Sequence, residues 1–264
     1  MPARVHVSFP EEGVGLLLMD NPPKNFGSYS LLQEIMDGID VIKGSNAIVL
    51  VLASDLPGYF MAHAWLPDVV AAYTEPTEAT GDPKLWRRLT QELERGPLIS
   101  ISCNHAQAWG GGAELSWACN LRTAGRSATY AQIESALGVI PGAGGTVRLS
   151  RLVGQSKAME VLLAAEPHTA EQFLQIGLVN KLYGDDELRD RTIEWAALIA
   201  SRPQKALQAC KRGVLQAWDV DYENALRLEG HIFNTTISKR TIERMNDIQS
   251  VYDRGGDSRE AYDL

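Results

Sequence analysis

Two glutamates beside glycine-rich turns, Glu114 and Glu134, have the residue types and the setting of an acid/base pair. Glu114 closes the run Gly110-Gly111-Gly112-Ala113-Glu114, which follows a buried apolar stretch and leads into LSWACN, so the glycines sit where a strand turns into a helix. The first N–H groups of a helix have no partner within it, and that end favours negative charge. Glycine lets a substrate carbonyl come close to the backbone, so an oxygen gaining charge during a reaction would meet ready donors there. The same spelling also fits a tight turn in which Glu114 only stabilises the helix dipole. Glu134 follows in Gln132-Ile133-Glu134, ahead of a second glycine-rich turn, Leu137-Gly138-Val139-Ile140-Pro141-Gly142-Ala143-Gly144-Gly145-Thr146. A carboxyl set among Ile133, Ala136 and Leu137 is expected to have a raised pKa, which suits proton donation near neutrality; a solvent-facing loop glutamate is the alternative. No Lys-Ser or Lys-Thr follows Gly145 and Val147 stands where GxGxxG needs Gly or Ala, so neither glycine turn reads as a nucleotide phosphate cradle.

The elements that must position these groups alternate. Short β-rich runs at Val14 to Met19, Ala47 to Ala53, Leu98 to Asn104, Leu121 to Thr123 and Leu178 to Leu182 are interleaved with helical patterns, which makes an α/β chain. Ser30 with Gln33, and Thr169 with Gln172, read as capping boxes at helix starts. After about Asp185 the strand signal stops, and ELRDRTIEWAALIA, PQKALQACKRGVLQAW, YENALRLEGHIF and KRTIERMNDIQSVYD read as consecutive helices. The expected division is a core over 1–195 and a helical region over 196–264. The polar, proline-containing stretch TEPTEATGDP between Tyr73 and Lys84 is expected to be a surface loop.

At 264 residues and 45% hydrophobic the chain can bury a full core. Its 25 Lys and Arg against 33 Asp and Glu leave a net charge of -8, which supplies no field for nucleic acid or an anionic membrane surface, and neither partner is expected. Cys103, Cys119 and Cys210 have no CxxC spacing and are expected as reduced, buried thiols. His6, His105, His168 and His231 are too scattered for a metal site, and HExxH and GxSxG are both missing, so no metal and no serine-hydrolase route is expected. No apolar run reaches a membrane span, and MPARVHVSFPEEG lacks the pattern of a signal peptide, which gives a cytoplasmic expectation.

From Leu98 to about Leu182 the chain resembles the crotonase superfamily, the enoyl-CoA hydratases and isomerases: GGGAEL, QIE and LGVIPGAGGTVRL stand where that family has GGGxEL, a PE-like segment and LGxxPGxGGTxRL. Further matches are MDNPPKN, RLVGQSKAMEVLLAAEPHTAEQFLQIGLVNKL and RPQKALQACKRGV. The resemblance implies a crotonase-type spiral of ββα units, a C-terminal helical region that assembles the chain into trimers or pairs of trimers, and an acyl-CoA substrate with no separate cofactor. It implies hydration of a trans-2-enoyl-CoA, with Glu114 as base on the water and Glu134 as proton donor to the α-carbon. Gly111 and Ala64 would supply the oxyanion N–H groups, with Ala62, His63, Trp65, Leu66, Gly110, Pro141 and Gly142 around the acyl-CoA. An isomerase, another crotonase-type lyase or hydrolase, or a non-catalytic acyl-CoA-binding relative are the alternatives.

Departures cluster in Phe60-Met61-Ala62-His63-Ala64-Trp65, which stands at the family's F-x-A-G-x-D loop. His63 replaces the glycine and Trp65 the acidic residue. If the loop needs glycine-only backbone angles, His63 is strained or the Ala64 donor displaced. His63 is expected to be packed or hydrogen-bonded in the loop, Trp65 to form a pocket wall, and Asn120, where relatives often carry Asp, to be structural. Leu66 to Val70 lacks the basic residue that often meets CoA phosphates.

Overall fold

The structure, a computed structural model, describes residues 4–74, 82 and 84–262. Apart from Thr74 and Asp82, the expected surface loop TEPTEATGDP lies outside the described residues. The chain divides into two compact units, Met1–Arg202 and Pro203–Leu264, with the boundary beyond the end of a helix that the sequence placed across residue 195.

In the first unit the elements run β1 (Val5–Glu11), β2 (Val14–Met19), α1 (Tyr29–Lys43), β3 (Val49–Ser54), β4 (Tyr59–Met61), α2 (Leu66–Thr74), α3 (Leu85–Arg95), β5 (Ile99–Asn104), β6 (Gln107–Trp109), α4 (Gly111–Ala118), β7 (Leu121–Gly125), β8 (Thr129–Ala131), α5 (Glu134–Leu137), α6 (Gly145–Val153), α7 (Gln155–Ala164), β9 (His168–Thr169), α8 (Ala170–Gln175), β10 (Lys181–Tyr183) and α9 (Leu188–Ala200). They build a six-stranded sheet in the order β1-β2-β3-β5-β7-β10 and a four-stranded sheet in the order β4-β6-β8-β9. The pairs β3–β4, β5–β6 and β7–β8 each place one strand in the large sheet and the next in the small sheet before a helix follows. Each ββα unit thus adds one rung to both sheets, which is the spiral the resemblance implied.

Burial explains why the large sheet was legible. Strands β3 and β5 are buried at every position and lie parallel within the sheet, so they read as unbroken apolar runs. Helix α1 turns Leu31, Leu32, Ile35, Ile39 and Ile42 into the core, where they join Leu17, Leu50, Leu52 and Phe60. The helix starts two residues before the place the spelling suggested: Ser28, in extended conformation, caps it by accepting from the Leu31 N–H at 3.2 Å. Ser30 is already helical, and Gln33 bonds forward to Asp37, so the expected Ser30–Gln33 box does not form. The Thr169–Gln172 capping box does form. Asn120 is structural, accepting from the Ser100 N–H and donating to the Glu94 carbonyl.

The second unit is helical: α10 (Gln204–Gln216), α11 (Tyr222–Thr236), α12 (Lys239–Asp253) and α13 (Ser258–Tyr262). Asp221 and Ser238 cap α11 and α12 through their side chains. Cys103 and Cys119 are buried as expected, whereas Cys210 on α10 is exposed. Among the described residues, no helix is long and apolar enough to cross a membrane.

Candidate active site

The small sheet brings the site together. Strands β4, β6 and β8 are parallel neighbours, in register at Met61↔Ala108 and Trp109↔Ala131, so the segments that leave their C-terminal ends emerge side by side. Those segments are Ala62–Trp65, Gly110–Gly112 and Gln132–Glu134, which carry seven of the eleven site residues named from the sequence; Glu114, Leu66, Pro141 and Gly142 lie outside them.

Gly110 turns the chain with φ 50 and ψ −123, its N–H held by the Ala131 carbonyl at 2.8 Å, and α4 begins at Gly111. That helix is buried throughout. The approach of the three segments is close: a Cβ on Gly111 would stand 3.2 Å from the Ala64 nitrogen and 2.7 Å from the Trp86 ring. The two implied oxyanion donors are therefore neighbours. Ala64 pairs with Gly27 in an isolated parallel bridge in which Gly27 N–H donates to the His63 carbonyl and Trp65 N–H donates to the Gly27 carbonyl. Because the His63–Ala64 peptide is planar and trans, a carbonyl facing Gly27 sends the Ala64 N–H the other way, toward the Gly111 side. The strain expected at His63 is not present: among the described residues only Asn25 and Ala165 combine positive φ with a side chain, so this position does not need glycine here. His63 is hydrogen-bonded within the loop, its Nδ1 lying 2.6 Å from the Ala64 oxygen.

Glu114 is 4% exposed. Its Oε1 accepts from the N–H groups of Ala143 at 2.7 Å and Gly145 at 2.8 Å, both in the second glycine-rich turn. Burial pushes its carboxyl up to about 7, and the nearby Glu134 adds to the rise, against the pull of the two amide N–H groups and of Arg148. Glu134 is half-buried, and burial raises its pKa as well. The source of that burial differs in part from the expectation. Ala136 and Leu137 face solvent, while Ile133 is half-buried: its Cγ1 lies 3.5 Å, Glu134 Oε1 3.3 Å and His63 Cβ 3.4 Å from where a Cβ of Gly110 would be. Glu134 Oε2 is buried without a protein partner.

The remaining residues named from sequence divide. Ala62 is buried and donates to the Lys24 carbonyl, and Pro141 is buried beside Gly145. Gly142 and Leu66 are exposed, and Trp65, 38% exposed, packs on Phe26 with ring centroids 5.1 Å apart.

Sequence reading passed over three residues here. Gln132 is 1% exposed with both amide atoms unpartnered, and its Oε1 approaches Gly145 beside Glu114. Trp86, on α3, fills the space behind Gly27 and Gly111, and nothing local to its own sequence marks it. Arg148 donates to the Ala143 carbonyl at 2.7 Å and to Glu94 Oε2 at 3.1 Å, and so holds the turn that holds Glu114; its position inside LGVIPGAGGTVRL was the available signal. Arg148→Met is expected to lower the melting temperature by roughly 4–8 °C, since the loss of a partly buried pair and of a buried carbonyl's donor is worth about 2 kcal/mol. A thermal melt within about 1 °C of the parent would remove this role.

The site thus sets two carboxyls beside the adjoining backbones of Gly111 and Ala64. A sequence model of the enoyl-CoA hydratase/isomerase family matches residues 10–253, and the chain belongs to that family. It is 30% identical over 241 residues to 2,3-dehydroadipyl-CoA hydratase of Escherichia coli, covering 91% of this chain and 92% of that one. It is also 30% identical over 226 residues to the mitochondrial enoyl-CoA hydratase of Pongo abelii, covering 85% and 77%. Among solved structures, an enoyl-CoA hydratase from Geobacillus kaustophilus superposes with a TM-score of 0.85 at 27% identity over 97% of this chain and 96% of that one. The enoyl-CoA hydratase of Bacillus anthracis gives 0.84 at 26% over 96% and 97%.

Proposed function

We propose that this chain is an enoyl-CoA hydratase, adding water across the double bond of a trans-2-enoyl-CoA. The observation that carries the reading is the presence of two buried-side carboxyls, Glu114 and Glu134, at the turn where the Gly111 and Ala64 backbones adjoin. Hydration needs a base for the water and an acid for the α-carbon, and two carboxyls are at hand. Burial raises both; at Glu114 the two amide N–H groups bonded to Oε1 pull back toward the ionised form, as Gln132 and His63 do at Glu134.

In this mechanism the thioester oxygen accepts the N–H groups of Gly111 and Ala64, and both glutamates hold the water. Glu114 takes a proton as the water oxygen bonds to the β-carbon. The π electrons move toward the thioester oxygen, and the resulting enolate collapses as the α-carbon takes the proton of Glu134. The pair ends with Glu114 protonated and Glu134 ionised, and exchange with solvent restores it. The two backbone donors would contribute about 3 kcal/mol each to lowering the barrier. Coenzyme A enters as part of the substrate, with no further cofactor, and the active form is a trimer or pair of trimers.

Crotonyl-CoA tests the reading directly. The parent is expected to remove the ultraviolet absorbance of the conjugated thioester; an absence of turnover with every short or medium 2-enoyl-CoA would overturn it, and conversion of a 3-enoyl-CoA alone would make the chain an isomerase.

A further inference from the structure

We propose that His63 is a positioning residue of the oxyanion hole, its ring fixing the Ala64 backbone from the side that the Gly27 bridge leaves open. The inference rests on the hydratase reading and goes beyond it, because it assigns a role to a side chain that is neither a carboxyl of the pair nor a backbone donor.

Two peptide planes meet at Ala64. The first, His63–Ala64, is held through its carbonyl, which accepts the Gly27 N–H at 2.9 Å. The second, Ala64–Trp65, is held through its N–H, which donates to the Gly27 carbonyl at 3.0 Å. Both bonds lie on the Gly27 side, and the bridge is isolated, with no further ladder pairs to stiffen it. The free end of the second plane is the Ala64 carbonyl, and His63 Nδ1 lies 2.6 Å from it. A carbonyl oxygen only accepts, so Nδ1 carries the proton and Nε2 remains for any bond made elsewhere. The ring therefore pins the second plane at its open end and limits rotation about the residue whose N–H faces Gly111.

The ring is itself held. Phe26 packs against it with centroids 4.9 Å apart, and Phe26 also packs on Trp65, so one aromatic side chain braces both residues that flank Ala64. On the other side, His63 Cβ lies 3.4 Å from where a Cβ of Gly110 would be, and Glu134 Oε1 lies 3.3 Å from that same point. Gly110 thus leaves the gap in which His63 and Glu134 come together. The backbone of His63 is outside the left-handed region, so nothing is spent on strain at this position. Glycine would serve the backbone equally and would lack the bond.

The probe is 4-dimethylaminocinnamoyl-CoA, whose absorbance moves to longer wavelength when donors polarise its carbonyl. The parent is expected to show that shift. His63→Ala should lose at least about half of it, with kcat on crotonyl-CoA about tenfold lower and KM within about twofold, since a displaced oxyanion donor weakens transition-state binding and leaves ground-state binding in place. His63→Asn keeps an N–H at the reach of Nδ1 and should restore both the shift and the rate. Should His63→Ala lose its native thermal transition, His63→Leu, which fills the ring's volume without a donor, gives the same comparison. A full shift and full kcat in the donor-less variant overturn the proposal and leave the hydratase reading standing. Hydration by a parent that shows no shift does the same. A parent that neither shifts the probe nor hydrates crotonyl-CoA overturns both.

Discussion

Glu114→Gln is expected to lower kcat for hydration of crotonyl-CoA by roughly a thousandfold, because it removes the base without removing the fold's use of the side chain. The glutamine oxygen can still accept from Ala143 and Gly145, so the second glycine turn keeps its anchor. What is lost is a group that can take a proton from water. Glu134→Gln should fall by a similar factor, and the double variant by much less than the product, since the two carboxyls act on one water. Stopped absorbance assays on the three variants decide the matter. Turnover within about tenfold of the parent for Glu114→Gln would end the proposed role.

The same substitution carries a stability prediction with a definite sign. The carboxyl of Glu114 rises from an ordinary 4.5 to about 7 in the fold. A folded pKa above the unfolded one means the native state holds the proton more tightly, so its contribution is full below about pH 4.5 and is lost as pH rises through about 7. That loss is on the order of 3 kcal/mol for a side chain this buried. Glu114→Gln never pays for ionisation. Its melting temperature should therefore exceed the parent's at pH 8 to 9 and converge with it near pH 4.5. The catalytic consequence runs the other way: the parent's kcat/KM should rise through about pH 7 as Glu114 ionises. The site is thus least stable where its base is most useful.

The sequence disclosed the parts of this arrangement that have long or distinctive local signals. Strands β3 and β5 are buried on both faces and spell themselves as apolar runs, and Glu114 is announced by the glycines before it. Strands β4, β6 and β8 went unread because three residues cannot display a period, yet their register is what sets Ala64, Gly111 and Glu134 side by side. Strand β1 did carry a signal, since Val5, Val7 and Phe9 alternate with polar residues and Val5 and Val7 pack on the core, but the run is short, ends on Pro10 and went unread. Glu134 shows the limit most clearly. Of the sequence neighbours that suggested an apolar environment, Ala136 and Leu137 face outward and only Ile133 lies inward, beside the Gly110 turn, where His63 from another element also comes close. The raised pKa was inferred correctly, but only one of the three neighbours contributes to it. The strain expected at His63 failed because it assumed that a family glycine marks a backbone requirement, whereas here the position has ordinary angles.

Gly112→Ala is expected to be the most damaging single methyl in the molecule, and the comparison with Gly111→Ala separates folding from chemistry. A Cβ at Gly112 would lie 2.1 Å from the Met61 carbonyl oxygen and 3.0 Å from its carbon. Those are backbone atoms of β4, held in the parallel sheet by β6, so they cannot swing aside as a side chain would. Relief requires α4 to lift from β4, which would uncover Ala113, Leu115 and Trp117 and pull Glu114 from its two amide donors. Overpacking a rigid core contact costs about 1–3 kcal/mol, and with partial loss of that burial the total should reach about 4 kcal/mol or prevent folding. At Gly111 the added methyl meets the Trp86 ring edge at 2.7 Å and the Ala64 nitrogen at 3.2 Å. The tryptophan ring can turn, so the fold should survive with a smaller penalty. The methyl would instead crowd the space between the two oxyanion donors. Denaturant titration should therefore rank Gly112→Ala as far less stable than Gly111→Ala, while the folded Gly111→Ala protein loses at least about a hundredfold in kcat/KM. A Gly112→Ala protein with parental stability would show that β4 and α4 do not press together as the structure has them.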